Sequence, residues 1–181
     1  IIIIHFNPVE LYPPIMNLLN NIPVDRFKVT VLTTSAFGRS YKPFQSKQPG
    51  INIIRIGRSG SYMKSLLRWF NFIYFYFSAL FYLIFFGHSK VLYFETISAF
   101  PPLAYKKIFN KHLELFIHYH EYISPEEYQL GSKLLKYFHN MECSFYTSAK
   151  WISHINDHRL NQFKHDNSTF QLTNTRVFPN Y

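Results

Sequence analysis

Short apolar runs alternate along the chain with stretches in which apolar residues recur at helical spacing. The runs are rich in β-branched residues and are bounded by Pro, Gly and Ser, as is typical of buried strands. They predict seven strands, at residues 1–6, 27–34, 51–58, 91–96, 115–119, 151–155 and 175–178.

Apolar residues at helical spacing predict helices between these strands. The segments 15–22, 98–111, 131–150 and 157–165 fit such helices. In the third of them Lys133, Lys136 and Glu142 fall outside the apolar stripe. Because strands alternate with helices, we expect one α/β domain with a Rossmann-like parallel sheet and helices on both of its faces.

One stretch, residues 69–87, contains no Asp, Glu, Lys or Arg and is close to the ~20 residues that cross a bilayer. Polar residues recur on one side of a helix there and apolar residues on the other, which favours a helix packed on a sheet or lying in a membrane interface. Three alternatives stay open: a core helix, peripheral membrane contact through residues 66–87, and a spanning helix that would break the sheet. The polar set is Asn71, Tyr74, Ser78 and Tyr82, and the apolar set is Ile73, Phe77, Leu80 and Ile84.

The chain is basic and unusually aromatic. Nineteen Lys and Arg against ten Asp and Glu give a formal charge of +9, and 20 Phe and 14 Tyr are present. The basic residues are scattered and no nucleic-acid-binding motif occurs, so we do not expect a nucleic acid partner. A phosphorylated substrate or an anionic membrane surface fits the charge better.

Cysteine usage favours a reducing compartment. Cys143 is the only cysteine of the sequence, so no internal disulfide can form. No leader pattern is found, and we expect a cytoplasmic protein, with attachment to the inner face of the membrane as the alternative. The sequence starts inside an apolar run and ends without a closing element, so we expect a piece of a longer protein.

Several enzyme classes lack their motifs here. No G-x-G-x-x-G, P-loop or G-x-S-x-G occurs among only six Gly. His154 and His158 lack the Glu of an H-E-x-x-H motif, so we expect no metal site.

The candidate site residues follow the ends of predicted strands. In open α/β sheets, ligands bind beyond the carboxyl ends of the strands. His120 and Glu121 directly follow one strand, and the segments 7–14, 95–96 and 154–157 follow three others. We therefore predict that these segments surround one crevice. A histidine that only caps the loop backbone is the alternative for His120.

The order of these segments resembles the N-terminal domain of GT-B glycosyltransferases, in the large retaining group called glycosyltransferase four-like. The resemblance covers nearly the whole chain and is carried by IIIIHFNPVELYPPIMNLL, FKVTVLTT, LFIHYHEYIS, SAKWISHINDHR and RVFPNY. The last segment is similar to the family hinge V-I-P-N-G, with Tyr181 in place of Gly. The Gly-Gly loop of many members is replaced by the segment 7–14.

The resemblance implies that residues 1–181 are a single acceptor-side domain ending at the interdomain hinge. A further C-terminal domain would bind a nucleotide-sugar donor, which is a co-substrate, and no cofactor or metal would be needed. His120 would be catalytic beside the transferred sugar. Acceptor contacts would come from Asn7, Glu121 and Asn156, and the strand-end position adds Pro13 and Glu95.

We accordingly expect an enzyme that transfers a sugar, with retention, to a glycan or lipid-linked acceptor, in cell-envelope polysaccharide synthesis. These residues alone should be inactive, because the donor-binding groups are outside the sequence. A non-catalytic Rossmann-like binding module and a membrane-associated protein are the alternatives.

Overall fold

Seven parallel strands form one sheet in the computed structural model, which describes residues 1–23, 25–37, 42–60, 63–87 and 89–179. The strand order is β3-β2-β1-β4-β5-β6-β7. Each strand lies within a residue or two of its predicted position. The strands are β1 (Ile2–Ile4), β2 (Val29–Ala36), β3 (Ile51–Ser59), β4 (Lys90–Phe94), β5 (Glu114–Tyr119), β6 (Trp151–His154) and β7 (Thr175–Val177).

Six α-helices are present in the described part of the chain. Five match the predicted helices, although the segment 131–150 is helical only from Lys133 to Cys143. The sixth helix, which was not predicted, begins after Ser124, whose hydroxyl and Glu127 form a capping box. The helices are α1 (Pro13–Asn21), α2 (Ser65–Phe86), α3 (Phe100–Ile108), α4 (Pro125–Leu130), α5 (Lys133–Cys143) and α6 (Asp157–Asp166).

Two cores lie on opposite faces of the sheet. Ile2 and Ile4 of β1 join the larger core, which contains the buried side chains of α2, α3 and α5. Ile3 points the other way and joins the smaller core with Ile15 and Leu19 of α1. Because side chains alternate along a strand, each of the strands β1 to β6 supplies both cores, and the α/β fold with helices on both faces is confirmed.

The apolar stretch forms α2, which packs on the sheet. Phe75 and Leu83 are fully buried in the larger core, but Ile73 and Phe77, of the set predicted to be apolar, are 37% and 54% exposed. Of the helices that the structure describes, α2 is the one long and apolar enough to cross a membrane by length and composition. The side that packs was not predictable, because the helix is apolar around most of its circumference.

The polar side of α2 fits closely against β3. The Asn71 side chain accepts a hydrogen bond from the Arg58 amide at 2.8 Å. Gly57 has φ +68°, and a Cβ there would lie 2.8 Å from the Asn71 Oδ1 atom. A glycine is therefore needed both for the backbone conformation and for the close approach of α2.

Candidate functional site

Glu95 joins two loops at the carboxyl edge of the sheet. It directly follows β4, with φ +62°, and a 3₁₀ turn (Thr96–Ser98) comes after it. Its carboxylate accepts hydrogen bonds from the Tyr12 hydroxyl and, at 2.7 Å, from the His120 amide. A positive φ is uncommon for a residue with a side chain, and such backbone conformations cluster at functional sites.

His120 is held by groups from three other segments. Its imidazole ring lies 5.3 Å from the Tyr12 ring, centroid to centroid, in an edge-to-face arrangement. The Arg159 guanidinium, from the first turn of α6, donates to the His120 carbonyl. Burial and then Arg159 lower the pKa of His120, and Glu121 partly opposes them, so the imidazole is neutral at pH 7.

The carboxyl group of Glu95 has an unusual proton affinity. Burial raises the pKa of Glu95 to about 7, although the hydrogen bonds from Tyr12 and the backbone at His120 act in the opposite direction. Burial and the Glu95 carboxylate also raise the pKa of Tyr12. Glu95 therefore exchanges its proton near neutral pH while Tyr12 keeps its own.

A second carboxyl group lies beneath this edge. Glu142 of α5 is fully buried and accepts hydrogen bonds of 2.7 Å from the Tyr93 and Thr96 hydroxyls. Burial raises the pKa of Glu142 to about 7. The sequence placed Glu142 outside the apolar stripe, and its burial was missed because its partners come from distant parts of the chain. These contacts hold the turn that follows Glu95.

Asn7 and Pro13 both belong to the loop and helix that follow β1. The Asn7 carbonyl accepts a hydrogen bond from the Thr33 hydroxyl at 2.7 Å, and its side chain contacts Ser59, so Asn7 faces β2 and β3. Pro13 is exposed at the first position of α1, next to Tyr12. The structure thus brings Tyr12, rather than Asn7, against His120.

Glu121 and Asn156 belong to the segments that follow β5 and β6. Glu121 is exposed directly after His120. The Asn156 side chain caps α6 by accepting a hydrogen bond from the Arg159 amide at 2.9 Å. Asn156 therefore also positions the arginine that contacts His120. Tyr12 lies inside the predicted segment 7–14, and Arg159 follows the segment 154–157 by two residues, but neither was named as a candidate site residue.

Buried histidines surround the site. His118 contacts the Ser153 hydroxyl through Nδ1 at 2.8 Å, and burial lowers its pKa to about 3. Burial and then Arg159 lower the pKa of His154 to about 3. In the described ranges, no group of three His, Cys, Asp or Glu is arranged to hold a metal ion.

An apolar cavity of about 280 Å³ opens near the same edge of the sheet. It lies between the amino-terminal ends of α2 and α5, and Phe6 and Ile97 come from the loops after β1 and β4. The remaining lining residues are Ser65, Arg68, Trp69, Phe72, Ser132, Leu134, Leu135 and Phe138.

The predicted hinge lies partly outside the described residues. Thr175–Val177 form the edge strand β7, and the Phe178 amide donates to the His154 carbonyl at 2.8 Å. The predicted hinge residues Asn180 and Tyr181 lie outside the described ranges. Of the predicted hinge segment 176–181, the structure therefore describes residues 176–179.

No protein-family model matches the chain, and no curated protein matches its sequence. Two solved chains of sucrose-phosphate synthase from Thermosynechococcus elongatus do match its structure. The first has 13% identity and a TM-score of 0.62, covering 99% of this chain and 87% of that one. The second has 13% identity and a TM-score of 0.65, and this chain spans 47% of its length. This likeness shows that the chain shares its fold with part of a sucrose-phosphate synthase.

Proposed function

We propose that the chain is the acceptor-side domain of a GT-B glycosyltransferase, with its reaction centre at His120. The observation that carries this proposal is the placement of His120 at the carboxyl edge of the sheet, where Tyr12, Glu95 and Arg159 fix it from three segments. In open α/β sheets, that edge is where ligands bind. The fold shared with sucrose-phosphate synthase supports the same assignment.

His120 would act as a neutral hydrogen-bonding group beside the transferred sugar. Its lowered pKa keeps the imidazole uncharged at pH 7, so one ring nitrogen donates and the other accepts. A neutral donor can bind a sugar hydroxyl and stabilise charge that develops during transfer. Because both its amide and its carbonyl are held, the backbone at His120 needs little reorganisation during the reaction.

Glu95 and Tyr12 would act through His120. The Glu95 carboxylate is already engaged by the Tyr12 hydroxyl and the His120 amide, which suits a positioning role better than a direct acceptor contact. Glu121 and Pro13 are exposed on either side and would meet the acceptor. Asn7 and Asn156 would complete the rim of the acceptor site, with part of each side chain occupied by protein contacts.

The acceptor would carry an apolar portion. The cavity of about 280 Å³ is lined mainly by apolar side chains and lies next to the loops that follow β1 and β4. A lipid-linked sugar has both an apolar chain for such a cavity and hydroxyls for the His120 side. This chemistry favours a cytoplasmic step of cell-envelope polysaccharide assembly, with a glycan as the second acceptor class.

The donor half of the reaction would belong to a further domain. We infer that this domain binds the nucleotide sugar, that the anomeric configuration is retained, and that no metal or other cofactor takes part. Residues 1–181 alone would then turn over no nucleotide sugar, because they would hold the acceptor and not the leaving diphosphate.

A transfer assay on the full-length protein tests the proposal. Labelled nucleotide sugars are incubated with glycans and with a membrane lipid extract, and wild type is compared with His120→Ala. We expect about a hundredfold to a thousandfold loss of transfer, as when one preorganised donor is removed from a reaction centre. His158→Ala, an exposed histidine of α6, is the matched control and should keep full activity.

Two results would overturn the proposal. One is transfer by His120→Ala at the wild-type rate. The other is a full-length protein that neither binds nor transfers any nucleotide sugar, which would leave the binding module as the better description.

A further inference from the structure

The outward face of α2 is apolar and exposed along its whole length. It is formed by Leu66, Phe70, Ile73, Phe77, Phe81 and Phe85. Exposure reaches 54% at Phe77 and 76% at Phe85, although the opposite side of the same helix is buried in the core. The face runs for about 28 Å, at about 1.5 Å per residue. Contiguous apolar patches of this size on a soluble protein mark an interaction surface.

The neighbouring helix extends this surface at one end. Both α2 and α3 follow one parallel strand and precede the next, so both run from the carboxyl edge to the amino edge of the sheet. The two helices contact each other, and Ile108, the last residue of α3, and Phe109, which follows it, are also exposed. Apolar side chains at the amino edge therefore come from two helices.

Charge decides between the partners that such a face could bind. No Asp or Glu occurs between Asp25 and Glu95, whereas ten Lys and Arg do. Among the described basic residues of this region, Arg58 and Lys64 are exposed at the amino-terminal end of α2. Lys107 and Lys111 are exposed at the end where α3 finishes. Basic residues thus flank the apolar face at both ends.

We propose that the outward face of α2 docks the domain onto an anionic lipid bilayer. The aromatic and aliphatic side chains would enter the head-group boundary, and the flanking Lys and Arg would bind anionic head groups. A second copy fits less well, because pairing two such faces would bring like charges together. The helix would lie on the membrane and not cross it, since Phe75 and Leu83 belong to the core.

The site of the proposed function would then meet the membrane at one end of the helix. Trp69 is exposed on α2 and also lines the 280 Å³ cavity. Docking would therefore bring the mouth of the cavity to the lipid surface. The docking proposal itself does not rest on transferase activity, because binding to lipid is measured without any substrate.

Vesicle co-sedimentation tests the proposal on residues 1–181. We expect wild type to bind vesicles of phosphatidylcholine mixed with phosphatidylglycerol and to bind phosphatidylcholine alone more weakly. Phe77→Ser with Phe81→Ser should weaken binding about tenfold or more, because exposed apolar area is removed from the face. Leu130→Ser, at an 89% exposed leucine of α4, is the matched control and should bind like wild type.

The contribution of the basic residues to vesicle binding is tested separately. Lys64→Gln should weaken binding to the phosphatidylglycerol vesicles about fivefold and should leave binding to phosphatidylcholine unchanged. Both substituted regions are exposed, and circular dichroism spectra and melting temperatures equal to those of wild type would confirm that the variants fold.

Tryptophan fluorescence reports which part of the domain faces the lipid surface. The sequence has two Trp, Trp69 on α2 and Trp151 on β6. With Trp151→Phe, the remaining Trp69 should shift to shorter wavelength on lipid binding and be quenched by brominated lipid. With Trp69→Phe, the remaining Trp151 should show neither effect.

Three outcomes would overturn the proposal: no binding of wild type to either vesicle, equal binding by the double variant and the control, or quenching of Trp151 instead of Trp69. Wild type that sediments as a dimer, and a double variant that is monomeric, would assign the face to a second copy. None of these results would bear on the transfer assay with His120→Ala.

Discussion

The carboxyl edge of the sheet and the outward face of α2 differ from the usual distribution of buried and exposed residues in opposite ways. At the carboxyl edge, polar and ionisable side chains such as Glu142 and His154 are buried. On α2, large apolar side chains such as Phe77 are exposed. Buried polar groups and exposed apolar patches are the informative exceptions to the usual distribution of residues.

The comparison shows that the two departures differ in what surrounds the unusual side chains. Glu142 is satisfied by hydroxyls of Tyr93 and Thr96, so its burial costs less than that of an isolated carboxyl group. Phe77, by contrast, leaves 54% of its surface exposed on the outward face of α2. The fold therefore supplies the partners of the Glu142 carboxyl group, whereas the exposed aromatic side chains are the feature that the membrane-docking proposal addresses.

Phe75→Ala and Phe77→Ala give the largest expected difference, because the two residues lie on opposite sides of one helix. Phe75 is fully buried and Phe77 is 54% exposed. We expect Phe75→Ala to lower the free energy of unfolding by about 3–5 kcal/mol through lost burial and cavity formation. Phe77→Ala should change it by about 0.5 kcal/mol or less. Urea unfolding measures both, and equal losses would contradict the assigned orientation of α2.

Glu142→Gln should change how stability depends on pH. In the folded protein the pKa of Glu142 is raised from 4.5 to about 7. The contribution of its protonated form to folding stability is therefore complete below pH 4.5 and is lost as pH rises through 7. Gln does not ionise, and the variant should therefore gain about 3 kcal/mol relative to wild type between pH 4.5 and 7. Unfolding free energies across this range measure the gain, and Glu126→Gln, at an exposed position, should lack it.

His154→Phe tests the same region, but here the stability of wild type changes with pH in the opposite direction. The unfolded chain protonates this histidine below pH 6.5, but the folded chain does so only near pH 3, so wild type loses stability as pH falls between these values. Because the variant lacks the imidazole, its free energy of unfolding should gain about 2 kcal/mol relative to wild type at pH 5. His158→Phe, at an exposed position, is the control for added aromatic area. A constant difference from pH 7 to 4 would contradict the burial of His154.

Gly57→Ala, at the contact between α2 and β3, should change the free energy of unfolding less than Phe75→Ala, Glu142→Gln or His154→Phe. The positive φ of Gly57 disfavours any side chain, and a Cβ would approach the Asn71 side chain. We expect a loss of about 1–2 kcal/mol in the free energy of unfolding. Gly50→Ala, which has φ +83° but no atom within 4 Å of the new Cβ, separates strain from crowding. A smaller loss for Gly50→Ala than for Gly57→Ala would confirm the close approach.

The strands and most helices were predictable because their apolar patterns are local. Each strand is a short β-branched run, and His120 and Glu95 could be placed at the carboxyl edge from strand ends alone. The capping box at Ser124 was also readable in the sequence, although α4 was not predicted. Local residue types and spacing were sufficient for these features.

The contacts within the site were not predictable in the same way. Tyr12 reaches Glu95 across 83 positions of sequence, and Tyr93 reaches Glu142 across 49. No periodic pattern connects such pairs, because their approach depends on strand order and on helix packing. The raised pKa of Glu95 and the lowered pKa of His120 follow from that approach, and so does the choice of Tyr12 over Asn7.

By itself, the sequence determined an α/β domain, the positions of its strands and the segments that follow them, since periodicity and strand composition are properties of neighbouring residues. The tertiary structure alone decided which side of α2 is buried and which polar groups meet at His120. Both depend on what lies across the sheet or against the helix, and a helix that is apolar around most of its circumference carries no local signal for that choice.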